Sequence, residues 1–170
     1  MERITPKFLT PSLAEMAVSM VLDAFMFNHR MDGIIGARMC HVVILVPSIV
    51  PDDNEWAHGL VTPTCIYETS RGNREDWSHE FDRLARNKAL QLWREQRVAG
   101  NTDPAPHLLF SGDTPFWGGV KRHGIAVAVS GPQSFFDEML AGMIADAIKG
   151  LASFYFEQSA DKKEKRSYLS

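Results

Sequence analysis

A lysine set among apolar residues is the first feature of this sequence that could do chemistry. In the stretch 74–97, rich in strong helix formers, Trp77, Phe81, Leu84, Lys88 and Leu92 fall on one helical stripe at ~100° per residue. An ammonium on such a stripe either snorkels to the edge of the protein or points into a pocket, and in a pocket it needs an anion, such as a ligand carboxylate. The second feature is the loop Ser111–Gly119, which carries Gly112, Asp113, Phe116, Trp117, Gly118 and Gly119. Its glycines permit close backbone approach to a ligand. Asp113, ahead of Thr114-Pro115, either closes an Asx turn on its own backbone or moves a proton at the mouth of a pocket. Phe116 and Trp117 would wall that pocket, with the Trp117 ring flat against an aromatic ligand.

Other candidates are more scattered. Glu68 and Tyr67 lie at the end of a strand, and their alternation lets only one of them face a pocket beside the glycine loop. His107 is a third candidate for proton transfer, with Asp113 and Glu68. His41, His58, His79 and His107 show no i, i+4 pairing and no H-E-x-x-H, so nothing in the sequence supports metal ligation. A lone histidine is more often a surface or capping residue, and His123 is expected to be exposed in a Lys121–Gly124 hairpin turn. Cys65 reads as a buried strand cysteine and Met16, Met20, Met139 and Met143 as core filling. No Walker loop, G-x-S-x-G elbow, dinucleotide fingerprint or C-x-x-C-H haem attachment is present.

The elements that must position these groups follow from hydrophobic periodicity and turn chemistry. Thr10-Pro11 opens a helix whose stripe is Leu13, Met16, Ala17, Met20, Val21, Ala24 and Phe27. His41–Pro47 reads as a central strand, Val50–Gly59 as an acidic loop, and Cys65–Thr69 as a second strand with Pro63 at an edge. The long helix runs from Arg74 to Arg97, and Gly100–Pro106 is a connector. His107–Phe110 is expected as a third strand, Val120 opens a fourth, and Ile125–Val129 is a fifth. Ser134 is expected to cap a last helix reaching about Phe156. The expectation is a single α+β domain over residues 1–159, a small antiparallel five-stranded sheet flanked by helices, followed by a charged flexible tail at 160–170.

Composition narrows the classes. The chain has 170 residues, 45% of them hydrophobic, enough for one sizeable core. Eighteen Lys and Arg against 21 Asp and Glu give a formal charge of -3, without the basic footprint of a nucleic-acid binder. Two cysteines make no disulfide framework and are too few for a cysteine-based zinc site. No uninterrupted apolar stretch approaches the ~20 residues of a membrane span, and the first residues lack a signal-peptide layout. The expectation is a cytoplasmic protein with no nucleic-acid or membrane partner.

The C-terminal third carries a resemblance. Gly118-Gly119-Val120, then His123-Gly124-Ile125-Ala126-Val127-Ala128-Val129-Ser130-Gly131, then Asp137-Glu138 opening an alanine-rich helix, resembles the GlcG/HbpS family, and Lys88-Ala89 matches that family's lysine–alanine pair. Pro47-Ser48-Ile49 departs from the family's usual hairpin, and Ser111–Trp117 is richer than its usual turn. The resemblance implies a small antiparallel sheet with helices, frequent homo-oligomers, and haem or another tetrapyrrole as an alternative ligand. It also shifts Lys88 towards a pocket role. The functional expectation is a lyase without a cofactor acting on a small aromatic acid, with 4-hydroxylaminobenzoate, converted to protocatechuate and ammonia, as candidate substrate. Asp113, Glu68 or His107 would transfer protons, and Lys88, Phe116, Trp117, Gly118, Gly119 and Tyr67 would bind. A tetrapyrrole-binding protein and a non-catalytic accessory subunit are the alternatives.

Overall fold

The computed structural model describes residues 3–36, 38–50, 61–95 and 106–169. The expected acidic loop, apart from Val50, together with His58, the end of the long helix at 96–97 and nearly all of the 100–106 connector lie outside them.

Strand β1 (Cys40–Ser48) is β-branched and apolar, and it sits inside the sheet with both faces buried. It pairs antiparallel with β2 (Thr62–Arg71) on one side and β4 (Ile125–Ser130) on the other; β3 (Gly119–Arg122) completes the order β2-β1-β4-β3. β2 is therefore an edge strand, as Pro63 requires. A bulge opposite Ile44/Leu45 leaves Ile66 without a partner. His123 and Gly124, with φ of 55° and 78°, form the two-residue turn between β3 and β4, and His123 is exposed as expected.

Period-2 alternation divides the core in two. Val42, Ile44, Val46, Val127 and Val129 meet α1 (Pro11–Phe25) and α3 (Ser134–Gln158). Val43, Leu45, Ala126 and Ala128 meet α2 (Phe81–Glu95) through Ala85, Ala89 and Leu92. Alanines on both surfaces let α2 lie close to the sheet.

Several sequence expectations are corrected. Among the described residues the sheet has four strands, not five. Pro106–Leu108 is a short 3-10 turn whose neighbourhood is satisfied by side chains: Arg94 donates to the Leu108 carbonyl, and the Phe110 N–H donates to Asp113. The long helix begins at Phe81 rather than Arg74, because Arg74–Asp76 forms a 3-10 turn capped by Asn73 and Trp77 leaves it with extended backbone. Ser134 is the first helical residue of α3, and Gln133 holds the N-cap position without a side-chain cap bond. Thr10 does cap α1, accepting from the Leu13 N–H at 3.2 Å. The expected stripe of α1 holds at Leu13, Ala17 and Val21, which are buried with Ala14, Val18 and Leu22, whereas Met16, Met20 and Phe27 are exposed, and so are Met139 and Met143 on α3. Where composition suggests a frayed tail, α4 (Ala160–Lys163) docks instead: its buried Asp161 pairs with Lys7 and Arg166.

Candidate functional site

Lys88 projects from α2 towards the end of β4. Phe81, Ala85, Ala89 and Leu92 of the same helix are buried against the sheet, and the Lys88 side chain beside them is only 2% exposed. Its Nζ donates to the Val129 carbonyl at 2.9 Å and to Asp137 Oδ2 at 3.0 Å. Asp137 is the fourth residue of α3, and its side chain leans back towards the helix N-terminus, as helical side chains do. The anion that Lys88 needs is thus supplied by the chain itself.

Gly118 closes the pair from the side. At φ +125° it holds a backbone conformation closed to other residues, and a Cβ there would lie 2.4 Å from the Asp137 Cβ and 3.1 Å from Lys88 Nζ. Gly119 serves packing in the same way, against Leu92 and the Val127 carbonyl. These glycines bring the backbone close to the ion pair, where the sequence alone suggested approach to a ligand.

Burial controls the electrostatics. It pushes the Asp137 carboxyl up to about 6, only partly offset by the Lys88 charge, its hydrogen bond and the Gly131 amide. Burial likewise lowers Lys88, against the pull of Asp137. The Cys40 thiol nearby is driven up to about 12, first by burial and then by Asp137, so it stays protonated. Asp137 Oδ1 is buried without a hydrogen-bond partner. The ion pair borders a cavity of about 260 Å3, walled by Phe81, Leu84 and Phe116 and edged by Ser130, Gln133 and Ser134. A second hollow of about 350 Å3, reaching Asp113, shares His79, Leu84 and Phe116 with it.

The sequence-derived candidates divide accordingly. Lys88 and Phe116 line the cavity and Gly118 backs it. Asp113 lies in the adjoining hollow, already engaged: Arg94 Nη2 donates to it at 2.6 Å and the Phe110 N–H at 2.8 Å, which holds its carboxyl below the usual carboxylate range. Trp117 points the other way from Phe116, into a groove against α3. Glu68 belongs to a different cluster, bonded through both oxygens to Arg86. Tyr67, its neighbour, packs towards the α1 and α3 side. His107 is exposed on the 3-10 turn and lines neither hollow. Cys65 is exposed rather than buried, in a trough beside β2, and His41 is buried against Ser70 rather than at the surface.

Asp137, Phe81, His79 and Ser134 are among the lining residues that sequence reasoning did not place at the site. A signal for Asp137 did exist: a core-facing lysine requires an anion, and the acidic residue opening the next apolar helix is a candidate. Among the described residues no group of three or more His, Cys, Asp or Glu side chains is arranged around a metal position.

Compared with known proteins, the sequence matches no family model, and no curated protein or solved structure shows significant similarity to it.

Proposed function

We propose that this chain is a lyase without a cofactor, acting on a small aromatic acid, with 4-hydroxylaminobenzoate as the candidate substrate. The observation that carries the reading is the Lys88–Asp137 pair beside an aromatic-walled cavity: burial has moved the acid up and the base down. Titratable partners pushed towards a common range are suited to exchanging protons with a bound molecule near neutral pH. The residues behind the resemblance to GlcG/HbpS support the same centre, because Lys88-Ala89, Gly118 and Asp137 come from three separate segments and meet there.

The reaction balances with water alone: 4-hydroxylaminobenzoate and water give protocatechuate and ammonia. The N–O bond breaks with its electron pair on oxygen, which leaves as water. One water adds at the ring carbon ortho to nitrogen, a second adds at the nitrogen-bearing carbon and expels ammonia, and loss of the ortho carbon's proton restores the aromatic ring. Nitrogen is thus reduced and the ortho carbon oxidised by the same two electrons, with one water consumed net. Protonated Asp137 supplies the proton to the departing hydroxyl. Lys88 holds the resulting carboxylate and returns a proton to it as water adds. Phe116 and Phe81 pack against the ring. The α3 N-terminus, uncapped by Gln133, favours an anionic ligand in the same space.

Incubating the purified chain with 4-hydroxylaminobenzoate and measuring protocatechuate by chromatography and ammonia enzymatically tests the proposal. Asp137→Asn is expected to lower kcat by roughly 10²-fold or more, the usual scale for a positioned acid. Phe116→Leu is expected to raise KM, and Asp113→Asn to leave kcat close to wild type. Absence of both products from the wild-type chain would overturn the reading.

A further inference from the structure

Helix α3 presents an apolar stripe that the protein itself does not cover. Within it an 18-residue window has a mean hydropathy of 1.3, yet only 33% of that window is buried. The inner side (Leu140, Ala141, Ile144, Ala145, Ile148) forms the core against the sheet. On the outer side Phe135 is 58% exposed, Met139 38%, Met143 40% and Phe154 57%. At ~100° per residue, Phe135, Met139, Met143, Asp146, Gly150 and Phe154 all fall within a single arc of about 100°. The four apolar side chains leave on the order of 400 Å2 exposed along one line, in the range where a patch on a soluble protein is usually functional.

The order of residues along this stripe identifies the occupant. Reversed end to end about its midpoint, the stripe sets Phe135 against Phe154, Met139 against Gly150, and Met143 against Asp146. At the Met139–Gly150 pair a large side chain meets a hole, while the outer pair sets ring against ring: a Cβ at Gly150 would find no atom within 4 Å, so nothing among the described residues calls for glycine in the middle of this helix. By contrast, Gly142 is explained internally, by the Arg122 guanidinium lying over it. The single charge on the stripe is already neutralised from the β3–β4 hairpin, Asp146 accepting from Arg122 Nη1 at 2.7 Å with His123 Nε2 also at 2.7 Å. A stable interface buries about 800 Å2 per partner, somewhat more than half of it apolar, which matches the stripe plus a polar rim.

We infer that the outer face of α3 pairs antiparallel with α3 of a second copy of this chain across a two-fold axis, Met139 of each copy filling the space at Gly150 of the other. A two-fold contact must be self-complementary, and this stripe is. The groove of about 530 Å3 between Trp117 and Met139 extends the same surface. Trp117 and Phe135 adjoin in sequence the cavity residues Phe116 and Ser134, so the partner would buttress the walls of the Lys88 cavity. The inference does not depend on the reaction proposed above. A membrane is the other apolar solvent that could cover such a face, but the core packing of the inner side keeps α3 from leaving the sheet to span one.

Sedimentation velocity on the full chain over a hundredfold concentration range tests it. The expected species has twice the 19.1 kDa chain mass. Gly150→Lys and Met139→Lys are each expected to give a monomer with unchanged far-ultraviolet circular dichroism, and Gly150→Lys to unfold at no lower temperature. Leu90→Lys, on exposed α2 surface, is expected to remain a dimer. A monomer at every concentration, or a dimer that survives both α3 substitutions, would overturn the inference. Co-sedimentation of a monomeric chain with phosphatidylcholine–phosphatidylglycerol vesicles would instead assign the face to lipid.

Discussion

Helix α2 carries two cations two residues apart, and each is paired with a carboxylate in a different setting. Lys88 faces inward to Asp137, the side chains 2% and 5% exposed. Arg86 faces Glu68, the side chains 47% and 38% exposed. The contact distances are similar, 3.0 Å and 2.9 Å, yet the acids respond in opposite directions. Glu68 is held below the usual carboxylate range, chiefly by its hydrogen bonds to Arg86. Asp137 is pushed up, because burial removes more solvation than Lys88 restores. A bidentate pair in water keeps its protons fixed, whereas a buried single-contact pair brings acid and base towards a common range. This difference places the candidate chemistry at Asp137 and leaves Glu68 a structural role. The buried His41 is caught between the two regimes: burial lowers its pKa while Glu68, 3.8 Å from its Nε2, opposes that shift.

The comparison can be broken or sharpened by substitution. Lys88→Ala leaves Asp137 buried without its cation, and a loss of about 3–5 kcal/mol is expected in urea unfolding. The double replacement Lys88→Met with Asp137→Leu is expected to recover much of that loss; if it does not, the pair contributes more than its own desolvation cost. Gly118→Ala should cost roughly 2–4 kcal/mol, combining a disallowed φ with overpacking against Asp137.

The pH dependence carries a definite sign. Between the ordinary 3.8 and about 6, folded Asp137 keeps a proton that the unfolded chain has lost. This group's contribution to stability therefore falls as pH rises through that window and is level above it. Subtracting the pH–stability curve of Asp137→Asn from that of wild type should show a decline across this interval. A rise would mean that the carboxylate is stabilised rather than strained. The smallest effect is expected for Glu68→Gln, under about 1 kcal/mol and weaker still at high salt, because its pair with Arg86 is solvated. A loss as large as that of Lys88→Ala would erase the distinction between the two pairs.

How far the sequence led can be judged from particular residues. The β-branched run at 41–47 identified the central strand, Pro63 the edge, Thr10-Pro11 the first helix start, and His123-Gly124 the hairpin, since each depends on neighbours a few positions away. His107–Phe110 misled because a short apolar run reads as a strand, while here side chains of Arg94 and Asp113 satisfy its backbone. The methionines misled because periodicity shows that a helix has an apolar side but not how wide the sheet beneath it is. For the site, the sequence nominated Lys88, Phe116 and Gly118, yet it scattered the proton-transfer role over Asp113, Glu68 and His107.

By itself, then, the sequence determined most of the strands and helices, the inward side of α2 from Phe81 to Leu92 and the demand of Lys88 for an anion, all local or periodic properties. Only the tertiary structure decided which anion answers that demand and how each carboxylate titrates. Desolvation depends on what long-range packing puts around a group, and residues 88, 118 and 137 become neighbours only when α2 and α3 close over opposite faces of one sheet.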